Sequence, residues 1–570
     1  MNAERLLAHY EKIADTHDAI ARLRRFILDL AVRGKLVPQD ANDQPIDSQS
    51  LLRELDRKQP AGRTGADLGP VTLEEVPVEV PKSWKWSRLF QLCVQDAPIV
   101  YGILQPGPDI RPHGVPYIRP SEIENGQIIL SDIRHTTSEI AAQYSRASVK
   151  HGDLILTIVG TIGAVAIVPR ELTGGNITQS SCRVRADPRH IERDFLLKAL
   201  RSSCVVDQIN RMKLGTAVPR LNIAHVRAIA IPLPPLAEQH RIVAKVDELM
   251  GLCDRLEAAR AGREAVRDRL AAASLARLSA PEPETFQADA RFALDALPAL
   301  TTRPDQIKAL RQTILNLAVR GKLVPQDPND EPASELLTRI AKEKARLVKA
   351  GEIRTPKAIP ALSETPFPIP ANWRWSQLVE IGVLSPRNEA PDALDASFVP
   401  MPLIAAEYGV ANQHEIRRWG EIKKGYTHFA EGDVGLAKIT PCFENGKSAV
   451  FRNLTGGIGA GTTELHIVRP LFVDQDYLLL FLKSPHFIET GVPKMTGTAG
   501  QKRVPTEYFA HSPFPLPPLA EQQRIVAKVD ELMGVCDRLE ASLTATAATR
   551  RRLLDALLAE ALEPAEATAA

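Results

Sequence analysis

The chain has 570 residues and a net charge of +2, so its length favours three or four domains and any surface for a polyanion must be a local patch. Its six cysteines form no CxxC pair and no histidines lie at zinc-finger spacing, a pattern that suits a reducing compartment. The N-terminus lacks the apolar core of a signal peptide and no run of about 18 apolar residues predicts a membrane span, so we predict a cytoplasmic protein.

The first predicted element is a helix over residues 1–37, because apolar residues recur at helical spacing from Ile20 onward. Gly34 stands where the C-cap of a helix belongs. A polar stretch, a short helix and a proline-rich linker follow.

Two segments of the chain occur twice, in the same order and at nearly the same spacing. The sequence LAVRGKLVPQD, which ends the first helix, returns unchanged at Leu317. PLPPLAEQHRIVAKVDE begins at Pro232 and returns at Pro515, with only His240 replaced by Gln523. About half of the chain is therefore a tandem duplication, and the architecture is predicted to have a pseudo-two-fold axis.

A Trp-x-Trp-Ser sequence opens a new domain in each half, at 84–87 and at 373–376. The alternate spacing suits a strand on which both tryptophans point to one face as core anchors. Short apolar runs between turn residues then predict two mixed α/β domains, with strands in the first at 154–159, 164–168 and 182–184.

Only fragments of these two domains agree. GDLIL from Gly152 answers GDVGL from Gly432, and each is expected to start a strand. GNITQSSCRV from Gly175 answers GAGTTELHIV from Gly459. The two domains are thus expected to share one arrangement of strands and to differ in most of the remaining sequence.

Each PLPPLAEQ copy opens a helix of about 40 residues, which is about 60 Å long. Apolar residues at alternating steps of four and three predict a seam for a partner helix, and we expect the two long helices to pair as an antiparallel coiled coil. The packing residues are Ile242, Val246, Leu249, Cys253 and Leu256 in the first helix, and Ile525, Val529, Leu532, Cys536 and Leu539 in the second.

The fold class is therefore α+β, with two mixed α/β domains separated by long helices. The predicted boundaries are an N-terminal helical region and linker at 1–80, a first α/β domain at 81–235, a spacer helix at 236–280, a linker and second helical region at 281–370, a second α/β domain at 371–518, a second spacer helix at 519–563 and a tail at 564–570. Residues 281–303, rich in Pro, Ala and Thr, are predicted as the linker between the halves.

No catalytic or metal-binding residue is predicted. The sequence around Gly446 resembles the end of a P-loop, but Pro441 occupies the position of its first glycine. Asp392, Glu421 and Lys423 have the residue types of a metal-dependent nuclease, although so short a motif, present in one half alone, is more simply explained by chance.

The remaining candidates are DNA-contacting side chains in polar, basic and glycine-rich loops. Lysine and arginine there could bind phosphates while Thr, Asn and Gln reach base edges. An ordinary solvated loop is the alternative for each one alone, but the two loops preceding the long helices recur at the same place. The candidates are Tyr101, Gln105, Arg119, Lys213, Thr216, Arg220, Asn222, Lys438, Thr440, Asn445, Lys447, Lys494, Thr496, Thr498, Gln501, Lys502 and Arg503.

The order GKLVPQD, divergent domain, PLPPLAEQ and VDELM-x-x-CDRLE, written twice, resembles the specificity subunit of type I restriction–modification systems over essentially the whole chain. The resemblance implies two target-recognition domains that each read one half of a bipartite double-stranded DNA site. It implies docking to two modification (methyltransferase) subunits and to restriction (ATP-dependent translocase/endonuclease) subunits. S-adenosylmethionine, ATP and Mg²⁺ are then expected on those partners and no cofactor on this chain. The helices predicted at 20–33 and 307–320 would belong to the docking and spacing region.

Three alternatives remain open from the sequence. The chain could serve a related type II-like system with one fused methyltransferase–nuclease partner. It could be a nuclease that uses Asp392, Glu421 and Lys423, or a coiled-coil scaffold without sequence recognition.

Overall fold

The computed structural model describes residues 16, 18–43, 70–124, 126–215, 219–279, 284–355, 358–362, 365–498 and 500–562. Two compact units divide the chain: unit 1 is Met1–Arg263 with Ala547–Ala570, and unit 2 is Glu264–Thr546. The candidate Thr216 and the predicted tail 564–570 lie outside the described residues. No described helix is long and apolar enough to cross a membrane.

In the described residues of the first half, a short helix, Ala19–Val32, precedes a mixed domain and a long helix. The α-helices are Ala19–Val32, Ser138–Gln143, Arg193–Arg201, Ser203–Arg211, Ile223–Ala228 and the first long helix, Leu236–Ser279. The strands are Lys85–Arg88, Val115–Ile118, Ile123–Glu124, Gln127–Ile128, Arg134–Thr136, Leu154–Thr157, Val165–Ile167, Asn176–Ile177, Ser181–Val184 and Ala230–Leu233.

The described residues of the second half follow the same order from short helix to mixed domain to long helix. Its α-helices are Phe286–Leu300, Pro304–Val319, Ala333–Lys349, Leu378–Ile381, Trp419–Ile422, Gln475–Lys483, Pro485–Gly491, Thr506–His511 and the second long helix, Leu519–Leu562. Its strands are Arg374–Gln377, Gly382–Leu384, Asp395–Val399, Glu415–Arg418, Thr427–Ala430, Val434–Ala437, Ser448–Val450, Ile458–Gly461, Leu465–Pro470 and Pro513–Leu516.

Both mixed domains share one sheet frame, as the sequence predicts. In the first domain, Val115–Ile118 pairs in parallel with Asn176–Ile177, and Leu154–Thr157 is the centre of an antiparallel sheet with Val165–Ile167 and Ser181–Val184. The strands predicted at 154–159, 164–168 and 182–184 are thereby confirmed within two residues.

The second domain has the same parallel pair, Asp395–Val399 with Ile458–Gly461, and the same antiparallel centre, Val434–Ala437. Each of its two sheets has one strand more, Gly382–Leu384 in one and Thr427–Ala430 in the other. The frame is thus common to both halves, and the additions lie at its edges.

A two-stranded ribbon closes each domain. Lys85–Arg88 pairs antiparallel with Ala230–Leu233, and Arg374–Gln377 pairs antiparallel with Pro513–Leu516. The chain therefore enters and leaves each domain at one place, directly before the long helix. The first tryptophan of each Trp-x-Trp sequence is buried beside this ribbon, which confirms its role as a core anchor.

The short helix of unit 1 occupies part of the predicted seam. Ile242, Val246 and Cys253 of the first long helix are almost fully buried in one apolar cluster with Ile20 and Ile27 of the helix Ala19–Val32. The other face of this short helix packs on residues 554–561 of the second long helix. The seam thus has the short duplicated helix as one partner.

Unit 2 repeats the arrangement. Ile525, Val529 and Cys536 share a buried cluster with Ile307 and Ile314 of the helix Pro304–Val319. Leu256, which was predicted to pack, is 38% exposed, whereas its counterpart Leu539 packs against this cluster. Direct pairing of the two long helices along their full length stays a prediction.

Two expectations about element bounds differ from the structure. The first helix ends at Val32 rather than at residue 37, because Gly34 adopts φ +65° and reverses the chain there, as its predicted C-cap role requires. Residues 281–303 contain the helix Phe286–Leu300 rather than only a linker. The alanines and leucines that follow Gln287 favour a helix, and the prolines that suggested a linker fall near its ends.

Candidate nucleic-acid interface

Three segments of the first domain lie side by side, linked by backbone hydrogen bonds. The N–H of Ile158 donates to the carbonyl of Ser180 at 2.9 Å, and the N–H of Leu221 donates to the carbonyl of Ile158 at 2.8 Å. Leu214 and Arg220 exchange two backbone hydrogen bonds of 2.9 Å and close a hairpin. We call residues 158–164, 178–181, 213–215 and 219–222 the first loop cluster.

The second domain has the same three-segment ladder. Lys438 donates its N–H to Glu464 at 2.9 Å and accepts from Val504 at 2.8 Å, and Thr496 and Arg503 exchange hydrogen bonds of 3.0 and 2.8 Å. Residues 438–447, 462–464, 494–498 and 500–504 form the second loop cluster. The two loops that the sequence pairs therefore occupy the same place in their domains.

A buried ion pair fixes the strand that leads into each cluster. Asp153, directly before Leu154–Thr157, accepts two hydrogen bonds from Arg185 at 2.6 and 2.7 Å. Asp433 accepts from Arg469 at 2.8 and 2.9 Å. Burial raises the pKa of the Asp433 carboxyl, and the hydrogen bond from Arg469 opposes that shift. The aspartate of the repeated Gly-Asp sequence thus fixes the start of the strand that leads into each loop cluster.

The first cluster presents three of the predicted candidates to solvent, namely Lys213, Arg220 and Asn222. Tyr101 is 53% exposed and forms a backbone bridge with Cys182, and Gln105 is exposed four residues further along. These side chains provide two cations, which suit phosphates, and three neutral hydrogen-bonding groups, which suit base edges.

Arg119 is less available than the sequence suggests. Its guanidinium forms an ion pair with Glu122, whose side chain is 1% exposed. It lies at the end of the strand Val115–Ile118, so a phosphate contact there would compete with a buried carboxylate.

Two of the predicted loops of the second cluster are joined to each other. The N–H of Thr440 donates to the carbonyl of Lys502 at 3.0 Å. Glu464 accepts from Arg503 at 2.8 and 2.9 Å, and this interaction lowers the pKa of the Glu464 carboxyl. Arg503 is therefore held by a carboxylate of its own cluster.

Lys447 is also engaged within the second domain, because its Nζ donates to the carbonyl of Met401 at 3.1 Å. Lys438 is half-buried, and the other remaining candidates of this cluster stand at exposed positions, where their side chains face solvent. They are Asn445, Lys494, Thr496, Thr498, Gln501 and Lys502.

Sequence reasoning missed the middle segment of each cluster. Gln179 and Thr463 are exposed at the turn between the parallel and antiparallel sheets. The signal was present, because the aligned fragments GNITQSSCRV and GAGTTELHIV place these residues at matching positions. Their exposure beside both loops makes them candidates of the same kind.

The nuclease motif has another structural explanation. Lys423 Nζ lies 2.5 Å from Asp392 Oδ1, so the cation neutralises the carboxylate that would have to hold a metal ion. Glu421 lies exposed on the short helix Trp419–Ile422. Within the ranges described above, no three His, Cys, Asp or Glu residues group as metal ligands.

Part of the chain is similar to known proteins. Residues 103–261 match the family described as the type I restriction modification DNA specificity domain. The chain is 52% identical to the Escherichia coli type I restriction enzyme EcoAI specificity subunit over 257 residues, 44% of each chain. It is 53% identical to the Escherichia coli type I restriction enzyme EcoEI specificity subunit over 258 residues, 44% of this chain and 43% of that one.

The chain therefore carries a type I restriction modification DNA specificity domain at residues 103–261. Its matched regions span less than half of the two E. coli relatives. The crystal structure of the HsdS subunit from Thermoanaerobacter tengcongensis aligns over 86% of this chain and 99% of its own, with 22% identity and a TM-score of 0.42. No finding favours the type II-like alternative.

Proposed function

We propose that this chain is a specificity subunit, a non-catalytic protein that recognises a bipartite DNA site with one half-site per mixed domain. The observation that carries the proposal is the pair of loop clusters. They are built by the same backbone ladder at the same place of one frame, yet they present different side chains. A shared frame with different contacts suits two half-sites of one ligand that differ in sequence.

The contact chemistry divides into two kinds. Lys213 and Arg220 in the first cluster, and Lys494 and Lys502 in the second, suit phosphates and would set the position of each domain on the duplex. Asn222 and the exposed Gln and Thr side chains can hydrogen-bond base edges in the major groove and would supply the sequence preference.

The partners that we propose are those that the resemblance to specificity subunits implies. We propose that the chain docks two modification subunits and, with restriction subunits, forms an ATP-dependent endonuclease. Catalysis and its cofactors S-adenosylmethionine, ATP and Mg²⁺ would belong to those partners. The repeated helices, which differ so little between the halves, are the surface that two identical partners could share.

A domain exchange tests the proposal, and the closing ribbons give the cut points. The corresponding segment of a family member with another DNA target would replace residues 89–229. Lys85–Arg88 and Ala230–Leu233 would stay in place. The chimera would be expressed with the modification subunit, and methylated sites would be mapped by sequencing. We expect one half-site to change and the other to remain. The matched control exchanges residues 378–512, and it should change the opposite half-site. A methylated motif that changes in both halves, or in neither, would refute the proposal that each domain recognises one half-site.

A second experiment tests the spacing role of the long helices. One heptad would be inserted after Gly262 and one after Ala545, both exposed positions beyond the buried contacts of residues 242–253 and 525–536. Seven residues lengthen a helix by about 10 Å, roughly three base pairs, so the gap should lengthen while both half-sites persist. An insertion after Ile242 is the control that should fail to fold, because it moves Val246 and Cys253 off their apolar cluster.

A further inference from the structure

A cation ends the same helix in both recognition domains. The helices Arg193–Arg201 and Gln475–Lys483 each have nine residues and are each followed by a fully buried serine, Ser202 or Ser484. Each serine hydroxyl donates to a carbonyl one turn back at 2.7 Å. Arg201 and Lys483 are therefore structurally equivalent: the residue type differs between the domains, and the positive charge does not.

Arg201 connects two loops of the first domain. Its Nη2 donates to the carbonyl of Val165 at 2.8 Å and to the carbonyl of Gly126 at 3.3 Å. Val165 is the first residue after the loop 158–164 of the first loop cluster. Gly126 lies in the turn of the hairpin that follows Pro120–Glu122, at the end of the strand Val115–Ile118.

Lys483 connects the corresponding loops of the second domain. Its Nζ donates to the carbonyl of Gly446 at 3.0 Å and to that of Ala406 at 2.8 Å. Gly446 lies near the end of the loop 438–447 of the second loop cluster. Ala406 lies in the loop after Met401–Leu403, at the end of the strand Asp395–Val399.

The same two loops are therefore joined in each domain: the loop that precedes the edge strand of the antiparallel sheet, and the loop that follows the parallel strand. These loops differ in length and sequence between the domains, whereas the position of the cation does not. In the second domain Lys447 adds a second link between them through the carbonyl of Met401.

These contacts are costly to lose. Lys483 is only 6% exposed, and burial lowers its pKa to about 7. Burial also lowers the pKa of the Arg201 guanidinium. A buried cation is retained against such a desolvation penalty when carbonyl oxygens satisfy its N–H groups, and removing it leaves those carbonyls without their partner.

We propose that Arg201 and Lys483 are equivalent positioning residues that hold two loops of their own recognition domain together and so set the stringency of one half-site each. The inference rests on the proposed function, because it assigns a role within the recognition of that bipartite DNA. Neither side chain is expected to touch a base. Each acts by limiting the positions from which neighbouring loops can contact one.

The test uses the full chain expressed with its modification subunit in cells, with methylation of the genome mapped at single-base resolution. Lys483→Met and Arg201→Met remove each cation, and Lys483→Arg and Arg201→Lys retain it. For Lys483→Met we expect the methylated fraction at sites with one wrong base in one half-site to rise about tenfold relative to the cognate site, with the other half-site as stringent as before. Arg201→Met should relax the opposite half-site, and the conservative variants should restore much of the discrimination.

The outcomes separate the two proposals. If the unaltered chain yields no bipartite motif, the proposed function fails. If it yields one and both Met variants discriminate as well as it does, the positioning role fails. If a Met variant loses methylation equally at all sites, and its soluble complex unfolds at a lower temperature in proportion, the cation is merely structural and the positioning role is overturned.

Discussion

Replacing Gln239 by Leu should show how strongly the first mixed domain is fixed to its long helix. Gln239 is fully buried near the start of the helix Leu236–Ser279. Its side chain accepts a hydrogen bond from the N–H of Glu192 at 2.7 Å. It donates to the carbonyls of Pro234 at 2.8 Å and His190 at 3.2 Å. Leucine fills a similar volume but leaves these backbone groups without the amide.

The magnitude follows from what is left behind. A buried donor or acceptor that loses its partner costs about 1–3 kcal/mol, and the 3.2 Å bond should count least. Part of the loss is offset, because leucine is easier to desolvate than glutamine. We therefore expect Gln239→Leu to lower the free energy of unfolding by about 3 kcal/mol. Gln522→Leu should have a similar effect in the other half, since Gln522 accepts from Asp474 at 2.8 Å and donates to Pro517 at 2.9 Å.

Urea titration followed by tryptophan fluorescence measures the change in the free energy of unfolding. Trp84 and Trp86 lie at the closing ribbon before the first long helix, and the other tryptophans report on the second half. The matched control is His240→Gln, which copies the one difference between the repeats at an exposed neighbouring position. It should change the free energy of unfolding by less than about 0.5 kcal/mol. The reasoning is refuted if Gln239→Leu costs no more than this control.

Three further variants probe single features. Asp433→Asn should cost about 2–3 kcal/mol in the same titration, because it leaves Arg469 facing a neutral amide, and an unchanged midpoint would contradict the importance of that pair. Gly321→Ala should cost about 2 kcal/mol, since Gly321 has φ +67° and a Cβ there would lie 2.5 Å from Pro370 Cγ; equal thermal midpoints would count against it. Burial lowers the folded-state pKa of Lys483 from 10.5 to about 7, so the unfolded chain holds this proton up to higher pH. The stability of the unaltered chain relative to Lys483→Met should therefore rise from about pH 7 to about pH 10, by at most about 1.4 kcal/mol per unit, and a flat difference would show that the lysine is not desolvated.

The frame of the molecule could be predicted because repetition and periodicity are local signals. The duplicated segments indicated both long helices, and the Trp-x-Trp sequences indicated the strands that close each domain. The glycine at residue 34 marked a helix end, although the helix stops earlier than expected. The helix Phe286–Leu300 was hidden because its flanking prolines and alanines have the composition of a linker.

The loop clusters could be predicted only in part, because they depend on contacts between residues far apart in sequence. The loop at 213–220 was visible from its own composition, but the backbone bond from Leu221 to Ile158 was not. Nor could the sequence show that Arg503 is engaged by Glu464, or that Arg119 faces a buried carboxylate. Arg201 and Lys483 carried no signal, because cations at helix C-termini are common.

The domain exchange proposed above has a physical basis in what the two halves repeat and what they do not. Each domain has a second contact with its own long helix, made to one repeated aspartate. Lys198 lies 2.8 Å from Asp247, and the hydroxyl of Tyr408 donates to Asp530 at 2.7 Å. The aspartate belongs to the repeated helix, whereas its partner belongs to the domain that differs between the halves. The partner is therefore a lysine in the first half and a tyrosine hydroxyl in the second. A replacement domain therefore brings its own partner for a fixed acceptor. The closing ribbon and the buried glutamine are also present in both halves. A domain exchange can therefore keep the contacts between the domain and its long helix while the loops of the domain change.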